Sequence, residues 1–161
     1  MVAPARCIMR DADLWVDELY EHAPERGAAL LVAQLSRYAV DLNRASDAVD
    51  EESVEGERGS MSAPRGVIWR LSSDRDRVLA SPLTRAEFHR RLREYYMPYH
   101  AALEGLIDET RRAFGYAIVL AAHSMPSVNG PRTGNPSDAG SVRARADFVP
   151  GTRGRTSASG T

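Results

Sequence analysis

His123 is the histidine best placed in the sequence for chemistry. It follows the apolar run 116–121, YAIVLA, in the segment AHSMPS. Ligands in open α/β sheets bind at the carboxyl ends of strands, so a metal-binding or catalytic histidine is expected at such a point. A histidine that only caps the strand would occupy the same position, and position alone leaves both interpretations open. Ser124 lacks the Gly-x-Ser-x-Gly pattern of a serine hydrolase.

A second candidate site lies in residues 36–44, SRYAVDLNR, which follow another apolar run. In this segment Arg37 and Arg44 flank Asp41 and Asn43. A guanidinium group binds a carboxylate through two parallel hydrogen bonds, and an amide can orient a neighbouring polar group. The pattern is therefore compatible with a carboxylate clamp. An Arg–Asp ion pair that closes a turn is the alternative, which the segment taken by itself favours.

Short apolar runs predict the strands that would position these residues. Residues 28–35 follow a glycine, and residues 116–121 follow another. Runs of this length and composition suit strands that are buried on both faces of a parallel sheet. Residues 67–71 predict a further short strand.

The first predicted helix spans residues 11–26. Acidic residues lead into apolar side chains on one helical face, and Gly27 follows as a natural C-cap. The apolar positions are Leu14, Trp15, Leu19 and Tyr20. Asp13 and Asp17 lie one turn apart on this helix, where capping or solvated-face roles are favoured over an approach to a metal.

A long second helix is the strongest secondary-structure prediction. Thr84 and Glu87 have capping-box spacing, and Gly115 marks the end of the helix. Pro98 lies inside the pattern and predicts a kink or a division there, because proline lacks a backbone donor and crowds the preceding turn. The apolar stripe consists of Phe88, Leu92, Tyr95, Tyr99, Leu103 and Ile107.

The order helix, strand, long helix, strand predicts an α/β fold. Right-handed crossovers would place helices on both faces of a mostly parallel sheet. The chain has 161 residues, 43% of them hydrophobic, which suits one domain with a real core. Outside that core the composition predicts a mobile loop at 45–66, a flexible loop at 127–146 and a flexible tail at 151–161.

The composition excludes several classes of protein. All 21 basic residues are arginine, so a lysine nucleophile, a Schiff base and a Walker-type lysine are absent. A net charge of -1 gives no reason to expect nucleic acid or an anionic membrane as a partner. Cys7 is the single cysteine, which indicates a reducing compartment and predicts a cytoplasmic protein. No apolar run reaches the roughly 18 residues of a membrane span.

Six separated blocks of the sequence occur in the order typical of one enzyme family. The blocks are DADLWVDELY, SRYAVDLNR, GVIW, PLTRAEFHRRLREYYMPYHAAL, GYAIVLAAHSMPS and RADFVPGTRG, covering roughly residues 11–155. Together they resemble the N-formylglutamate amidohydrolase family, whereas one block alone, such as DLNR, would be a weak signal.

The resemblance implies a three-layer α/β/α fold related to zinc carboxypeptidases and aspartoacylases. It implies zinc-dependent hydrolysis of N-formylglutamate or a related N-acyl amino acid, with formate and glutamate as products of the type reaction and a role in histidine degradation. By the same resemblance His123 would be a zinc ligand, and Asn43 and Arg44 would contact the substrate carboxylate. Arg37 is a weaker candidate for the same anion. The expected partner is this small molecule, and the expected state is a monomer or homodimer.

Three departures from the family pattern bear on activity. An early Pro-His-Ser-Gly-like block with another ligand histidine has no counterpart, and the late general acid/base glutamate is expected beyond Thr161. Family members often carry an aspartate two residues before the histidine of the HSMP block, where this chain has Ala121. We therefore expect residues 1–161 to form one incomplete domain, truncated at both ends, that supplies one of about three zinc ligands.

Two alternatives to an active amidohydrolase stay open. A non-catalytic remnant of the same fold would keep Arg37, Asn43 and Arg44 to bind a small dicarboxylate. A misassembled gene product would not fold stably, because a sheet deprived of a strand exposes its edges. The remaining histidines, His22, His89 and His100, are expected in surface or packing roles.

Overall fold

The structure is a computed structural model, and it divides the chain into two compact units. The first unit is Met1–His123 and the second is Ser124–Thr161. All the candidate residues named above except Ser124 lie in the first unit. The described residues are 2–57, 59–60, 63–125, 128–129 and 143–144.

Helices are the regular elements of the first unit, and one strand pair is described in the second. Helix α1 spans Ala5–Asp11, α2 Val16–Leu19, α3 Arg85–Arg91 and α4 Met97–Phe114; a 3-10 turn covers Pro24–Arg26 and a π turn covers Leu92–Tyr96. Strand β1, Val128–Asn129, pairs antiparallel with β2, Arg143–Ala144. None of the helices in the described part of the chain combines the length and apolarity needed to cross a membrane.

The predicted long helix is confirmed at both ends. The hydroxyl of Thr84 accepts a hydrogen bond from the Glu87 backbone N–H at 3.2 Å, which is the capping bond that the spacing predicted. Gly115 ends α4 in the left-handed region, with φ of 80°. The division expected at Pro98 takes the form of the π turn, in which the Met97 N–H donates to the Leu92 carbonyl directly before the proline.

The predicted helix at 11–26 is wrong as a continuous element. Trp15 has φ of 66°, a left-handed conformation that a helix interior does not accept, so only the short α2 and the 3-10 turn form. Two side chains of the predicted apolar face are largely exposed, Trp15 at 70% and Leu19 at 76%. Gly27 does act as a C-cap, for the 3-10 turn.

The strands predicted at 28–35 and 116–121 are not formed in the described residues. The Ala28 N–H donates to the Ala23 carbonyl at 3.1 Å, but neither segment pairs with a neighbouring strand in the described residues, and a strand exists only as part of a ladder. Their apolar side chains are largely exposed, as Ile118 is at 84%. Residues 67–69 are buried and residues 70–71 are half-buried, and among the described residues the segment forms only isolated bridges at Trp69 and Leu71. The three-layer α/β/α arrangement therefore stays a prediction.

Loops supply most of the core of the first unit. One cluster joins Phe88 of α3 to residues of the surrounding loops, namely Val40, Val49, Val54, Val67, Ile68 and Leu79. A second cluster consists of Cys7, Tyr38, Trp69 and Val78. Full burial of an aliphatic or aromatic side chain contributes roughly 1.5–3 kcal/mol. Because Tyr38 and Val40 belong to these clusters, the core fixes the candidate segment 36–44.

The acidic segment 45–66 contributes to this core. Val49 and Val54 are buried, and the buried carboxylate of Asp50 accepts a hydrogen bond from Arg70 at 2.7 Å. A Cβ on Gly66 would lie 2.1 Å from the Ala48 carbonyl oxygen, so this close approach requires glycine. The mobility of the segment stays a prediction. The predicted flexible stretches at 127–146 and 151–161 lie outside the described residues, apart from β1 and β2.

Candidate functional site

Asp41 organises the turn that carries Asn43 and Arg44. Its side chain is 6% exposed, and it accepts hydrogen bonds from the Asn43 backbone N–H at 3.0 Å and from the Trp69 indole N–H at 2.8 Å. The Arg44 guanidinium lies farther away, at 3.8 Å. The Asn43 backbone N–H therefore closes the turn. The Arg44 side chain, which is 47% exposed, faces solvent.

Tyr38 anchors the other end of the segment. Its hydroxyl donates to the Asp11 carboxylate at 2.5 Å and lies 3.2 Å from the Cys7 carbonyl oxygen. Burial, followed by the hydrogen bond to Asp11, raises the pKa of Tyr38 well above its ordinary value. The phenol therefore stays protonated and keeps this link between the segment and α1.

Arg37 pairs with a carboxylate from outside its own segment. Its guanidinium donates to the Asp13 carboxylate at 2.5 Å. The same guanidinium lies over the Trp69 ring, with Cζ 5.4 Å from the ring centroid, a distance at which a cation and an indole attract each other. The side chain is therefore held between an anion and an aromatic face.

His123 lies beside both partners of this arrangement. Its Nδ1 is 3.1 Å from the Asp13 carboxylate, and its Nε2 is 3.3 Å from the amide nitrogen of Asn43. An amide nitrogen can only donate, so Nε2 accepts and Nδ1 carries the hydrogen that is donated to Asp13. The contacts fix both the tautomer and the orientation of a histidine that is 110 residues away from Asp13 in the sequence.

The structure thus brings together Arg37, Asn43 and His123, with Arg44 next to Asn43. Asp13, for which the sequence favoured a capping or solvated-face role, joins Arg37 to His123 instead. It also supplies a carboxylate to the histidine ring, although Ala121 stands where family members often have an aspartate. The signal for Asp13 was its place in the first of the six sequence blocks, DADLWVDELY.

The donors of this cluster fit a zinc ion in type. Zinc binds histidine nitrogen and carboxylate oxygen, and His123 and Asp13 offer one of each, side by side. A catalytic zinc site takes about three protein ligands and keeps one open position. Among the described residues, the cluster therefore provides two donors, one more than the sequence predicted.

Cys7, Asp74 and Asp76 form a second group of candidate metal-ligating atoms, which lie within 4.8 Å of one another. Arg6 pairs with Asp76 at 3.1 Å and Arg10 pairs with Asp74 at 3.2 Å. The hydrogen bond to Asp76, together with burial, raises the pKa of the Cys7 thiol. A metal-ligating cysteine is a thiolate, and this environment favours the thiol.

The other histidines have local partners. His22 is exposed and lies 3.1 Å from Glu25, and His89 lies 3.7 Å from Glu57. His100 packs against the Tyr96 ring, with ring centroids 4.1 Å apart, and its Nε2 lies 3.1 Å from the Leu42 carbonyl oxygen. The first two have surface roles, and His100 packs against the turn that carries Asn43, in agreement with the roles expected.

Known proteins resemble the chain in sequence. The family model for N-formylglutamate amidohydrolase matches residues 1–161. An N-formylglutamate deformylase of Pseudomonas putida is 31% identical over 119 residues, which are 73% of this chain and 42% of that protein. An N-formylglutamate deformylase of Pseudomonas aeruginosa is 32% identical over 127 residues, which are 79% of this chain and 45% of that protein.

A solved structure is similar as well. The crystal structure of N-formylglutamate amidohydrolase from Ralstonia eutropha JMP134 has a TM-score of 0.62 and 36% identity, covering 71% of this chain and 42% of that chain. That neighbour is an amidohydrolase of α/β character. The chain belongs to the N-formylglutamate amidohydrolase family. It spans less than half the length of these relatives.

Proposed function

We propose that the chain carries zinc-binding and substrate-binding residues of an enzyme that hydrolyses the amide of N-formylglutamate, or of a related N-acyl amino acid. For N-formylglutamate the products are formate and glutamate. Family membership supports the reaction class. The assignment of the site rests on the two contacts of His123. Its Nδ1 lies 3.1 Å from the Asp13 carboxylate, and its Nε2 lies 3.3 Å from the Asn43 side-chain amide.

In this proposal His123 and Asp13 would hold the zinc ion, and zinc binding would replace the hydrogen bond between them, because a ring nitrogen must give up its hydrogen-bond partner to bind a metal. The chemistry that zinc supplies when bound is Lewis-acid activation of water and of the scissile carbonyl. Arg37 holds the Asp13 carboxylate in place beside the histidine ring, which is the role that partners of metal ligands commonly have. The late glutamate that the resemblance implies as general acid/base has no counterpart among the residues proposed here.

Arg44 and Asn43 bind the substrate carboxylate in this proposal. The Arg44 guanidinium is exposed and lies 3.8 Å from Asp41, so its donors can turn to an incoming anion. The Asn43 amide projects from the same turn. Arg37 is the weaker candidate for this anion because its guanidinium already donates to Asp13.

We also propose the wider setting of the family for this chain. The domain is a three-layer α/β/α domain with a mostly parallel sheet, and the buried thiol of Cys7 supports a cytoplasmic location. The substrate class supports a role in histidine degradation. A monomer or a homodimer is the proposed assembly.

The zinc content of the purified chain, measured by elemental mass spectrometry, tests the proposed metal site. We expect about one zinc per chain, lost in His123→Ala because the cluster then keeps one donor. His22→Ala is the matched control, since His22 is an exposed histidine paired with Glu25, and it should keep the metal. A zinc-free wild-type chain, or equal zinc in both variants, would contradict the proposed site.

A further inference from the structure

The residues of the candidate site form a closed ring of contacts through Trp69. Each member touches the next, in the order His123, Asp13, Arg37, Trp69, Asp41, Asn43 and back to His123. The corresponding distances are 3.1 Å, 2.5 Å, 5.4 Å to the ring centroid, 2.8 Å, 3.0 Å and 3.3 Å. Because the ring is closed, two chains of contacts connect any two of its members, one in each direction around the ring.

Trp69 connects the two halves of this ring at a buried position. Its side chain belongs to the core cluster of Cys7, Tyr38 and Val78, and its indole N–H donates to the buried carboxylate of Asp41. The indole is therefore fixed in place. The face of the indole lies against Arg37, which pairs with Asp13. Its N–H edge contacts Asp41, which binds the Asn43 backbone.

The Arg37 guanidinium is shared between Asp13 and the Trp69 ring. Its attraction to the ring depends on how much of its charge the carboxylate already balances. A cation that binds at Asp13 and His123 competes with Arg37 for the carboxylate. A guanidinium released in this way would be free to move over the indole, whose N–H holds Asp41 and, through Asp41, the Asn43 turn.

We propose that Trp69 is a positioning residue that couples the carboxylate-binding turn at Asn43 and Arg44 to the His123–Asp13 pair. The inference rests on the proposed function, because it takes the pair as the metal site and the turn as the anion site. It adds that occupancy of the first site is sensed at the second through the indole.

Tryptophan emission provides a direct test, because the chain has two tryptophans and Trp15 is far more exposed than Trp69. In a Trp15→Phe background, Trp69 is the single emitter. Zinc chloride is titrated while bound zinc is measured by equilibrium dialysis. We expect a saturable change in emission that follows the bound zinc, and its loss in His123→Ala, which separates this site from the Cys7 group.

Two arginines over the same ring give a matched pair of variants. Arg37 and Arg65 lie 5.4 Å and 5.7 Å from the Trp69 ring centroid, but Arg65 donates to Ser73 instead of Asp13. In the Trp15→Phe background, Arg37→Gln should lose the zinc-dependent change in emission and Arg65→Gln should keep it. The opposite pattern, or an equal response in both, would overturn the role of Trp69.

Trp69→Phe tests the other edge of the indole. Phenylalanine keeps an aromatic face for Arg37 and removes the N–H that holds Asp41. We expect roughly tenfold weaker zinc binding than in Trp15→Phe, because loosening Asp41 disturbs Asn43, the hydrogen-bond partner of the proposed ligand His123. In the Trp15→Phe chain, bound zinc with an unchanged Trp69 emission would overturn this inference and leave the proposed metal site standing. An absence of bound zinc in the wild-type chain would overturn the proposed function and the inference with it.

Discussion

Glu87 links the cap of α3 to the segment that carries the candidate site. Its carboxylate accepts hydrogen bonds from Arg90 at 2.7 Å and 2.9 Å and from Arg91 at 2.7 Å. These bonds, first from Arg90 and then from Arg91, lower the pKa of Glu87 to about 2. Arg91 also donates to the Ala39 carbonyl at 2.9 Å. The ionised carboxylate therefore orients an arginine that braces residues 36–44.

The pH dependence of unfolding measures this contribution. A carboxyl with a depressed pKa stabilises the folded chain fully above its unfolded value of 4.5, and the stabilisation is lost as the pH falls towards about 2. Glu87→Gln should lower the free energy of unfolding at neutral pH and flatten its slope across that window, as measured by urea denaturation. Glu104→Gln, on the exposed side of α4, is the control; an equal loss there would refute the assignment.

The sequence was sufficient to name individual residues of the candidate site, but it did not predict the contacts between them. His123, Asn43 and Arg37 follow apolar runs in blocks with a recognisable order, so their chemistry could be inferred locally. The pairing of Asp13 with His123 spans 110 residues and depends on how the loops pack. Trp69 gave no local sign of its role, because an aromatic residue in an apolar run is ordinarily a core residue.

Helix α4 has one glycine in its interior and another as its C-cap, in opposite situations. Gly105 lies in the helix interior, and an added Cβ there would meet nothing within 4 Å. Gly115 ends the helix with φ of 80°, a conformation that strains any residue with a Cβ, and its N–H donates to the Arg111 carbonyl at 2.8 Å. Alanine therefore has opposite effects at the two positions.

Alanine substitution at the two glycines checks this element. Gly105→Ala should raise the free energy of unfolding by roughly 0.5–1 kcal/mol, because alanine loses less conformational entropy in a helix. Gly115→Ala should lower it by about 1 kcal/mol, because the left-handed conformation crowds the Cβ. Chemical denaturation of both variants provides the comparison. Equal shifts of the same sign would show that α4 ends differently.

The helices were more predictable than the strands for a physical reason. A helix such as α4 makes its hydrogen bonds within its own segment, so spacing and capping residues are sufficient to define it. A strand requires a neighbour, and the apolar composition of 28–35 and 116–121 carries no information about where that neighbour comes from. Trp15 shows a further limit, since its left-handed backbone interrupts a helix whose side-chain spacing was favourable.

At the scale of the whole molecule, the two apolar segments 28–35 and 116–121 lie largely at the surface. The exposed apolar side chains include Leu30, Leu35, Tyr116, Ile118, Val119 and Leu120. Exposed apolar side chains favour association with other surfaces. The chain by itself should therefore associate as its concentration rises.

A single charge in the second segment tests that expectation. Ile118→Asp should shift concentration-dependent association, measured by light scattering, to higher protein concentration, because burying a charge against another surface is costly. Ala101→Asp adds the same charge at an exposed position of α4 and should leave the association unchanged. Equal effects of the two variants would mean that net charge, and not this segment, controls association.

The π turn Leu92–Tyr96 determines the direction, around the helix axis, in which each later side chain of the helix points. One additional residue in a turn rotates the later positions by about 100° relative to an uninterrupted α-helix. In the phase observed, the Tyr96 hydroxyl donates to the Arg44 carbonyl at 2.8 Å and His100 reaches the Leu42 carbonyl. The support beneath the Asn43 turn thus depends on the number of residues in the π turn: removing one would rotate His100 away from the turn, even with every side chain of the site retained.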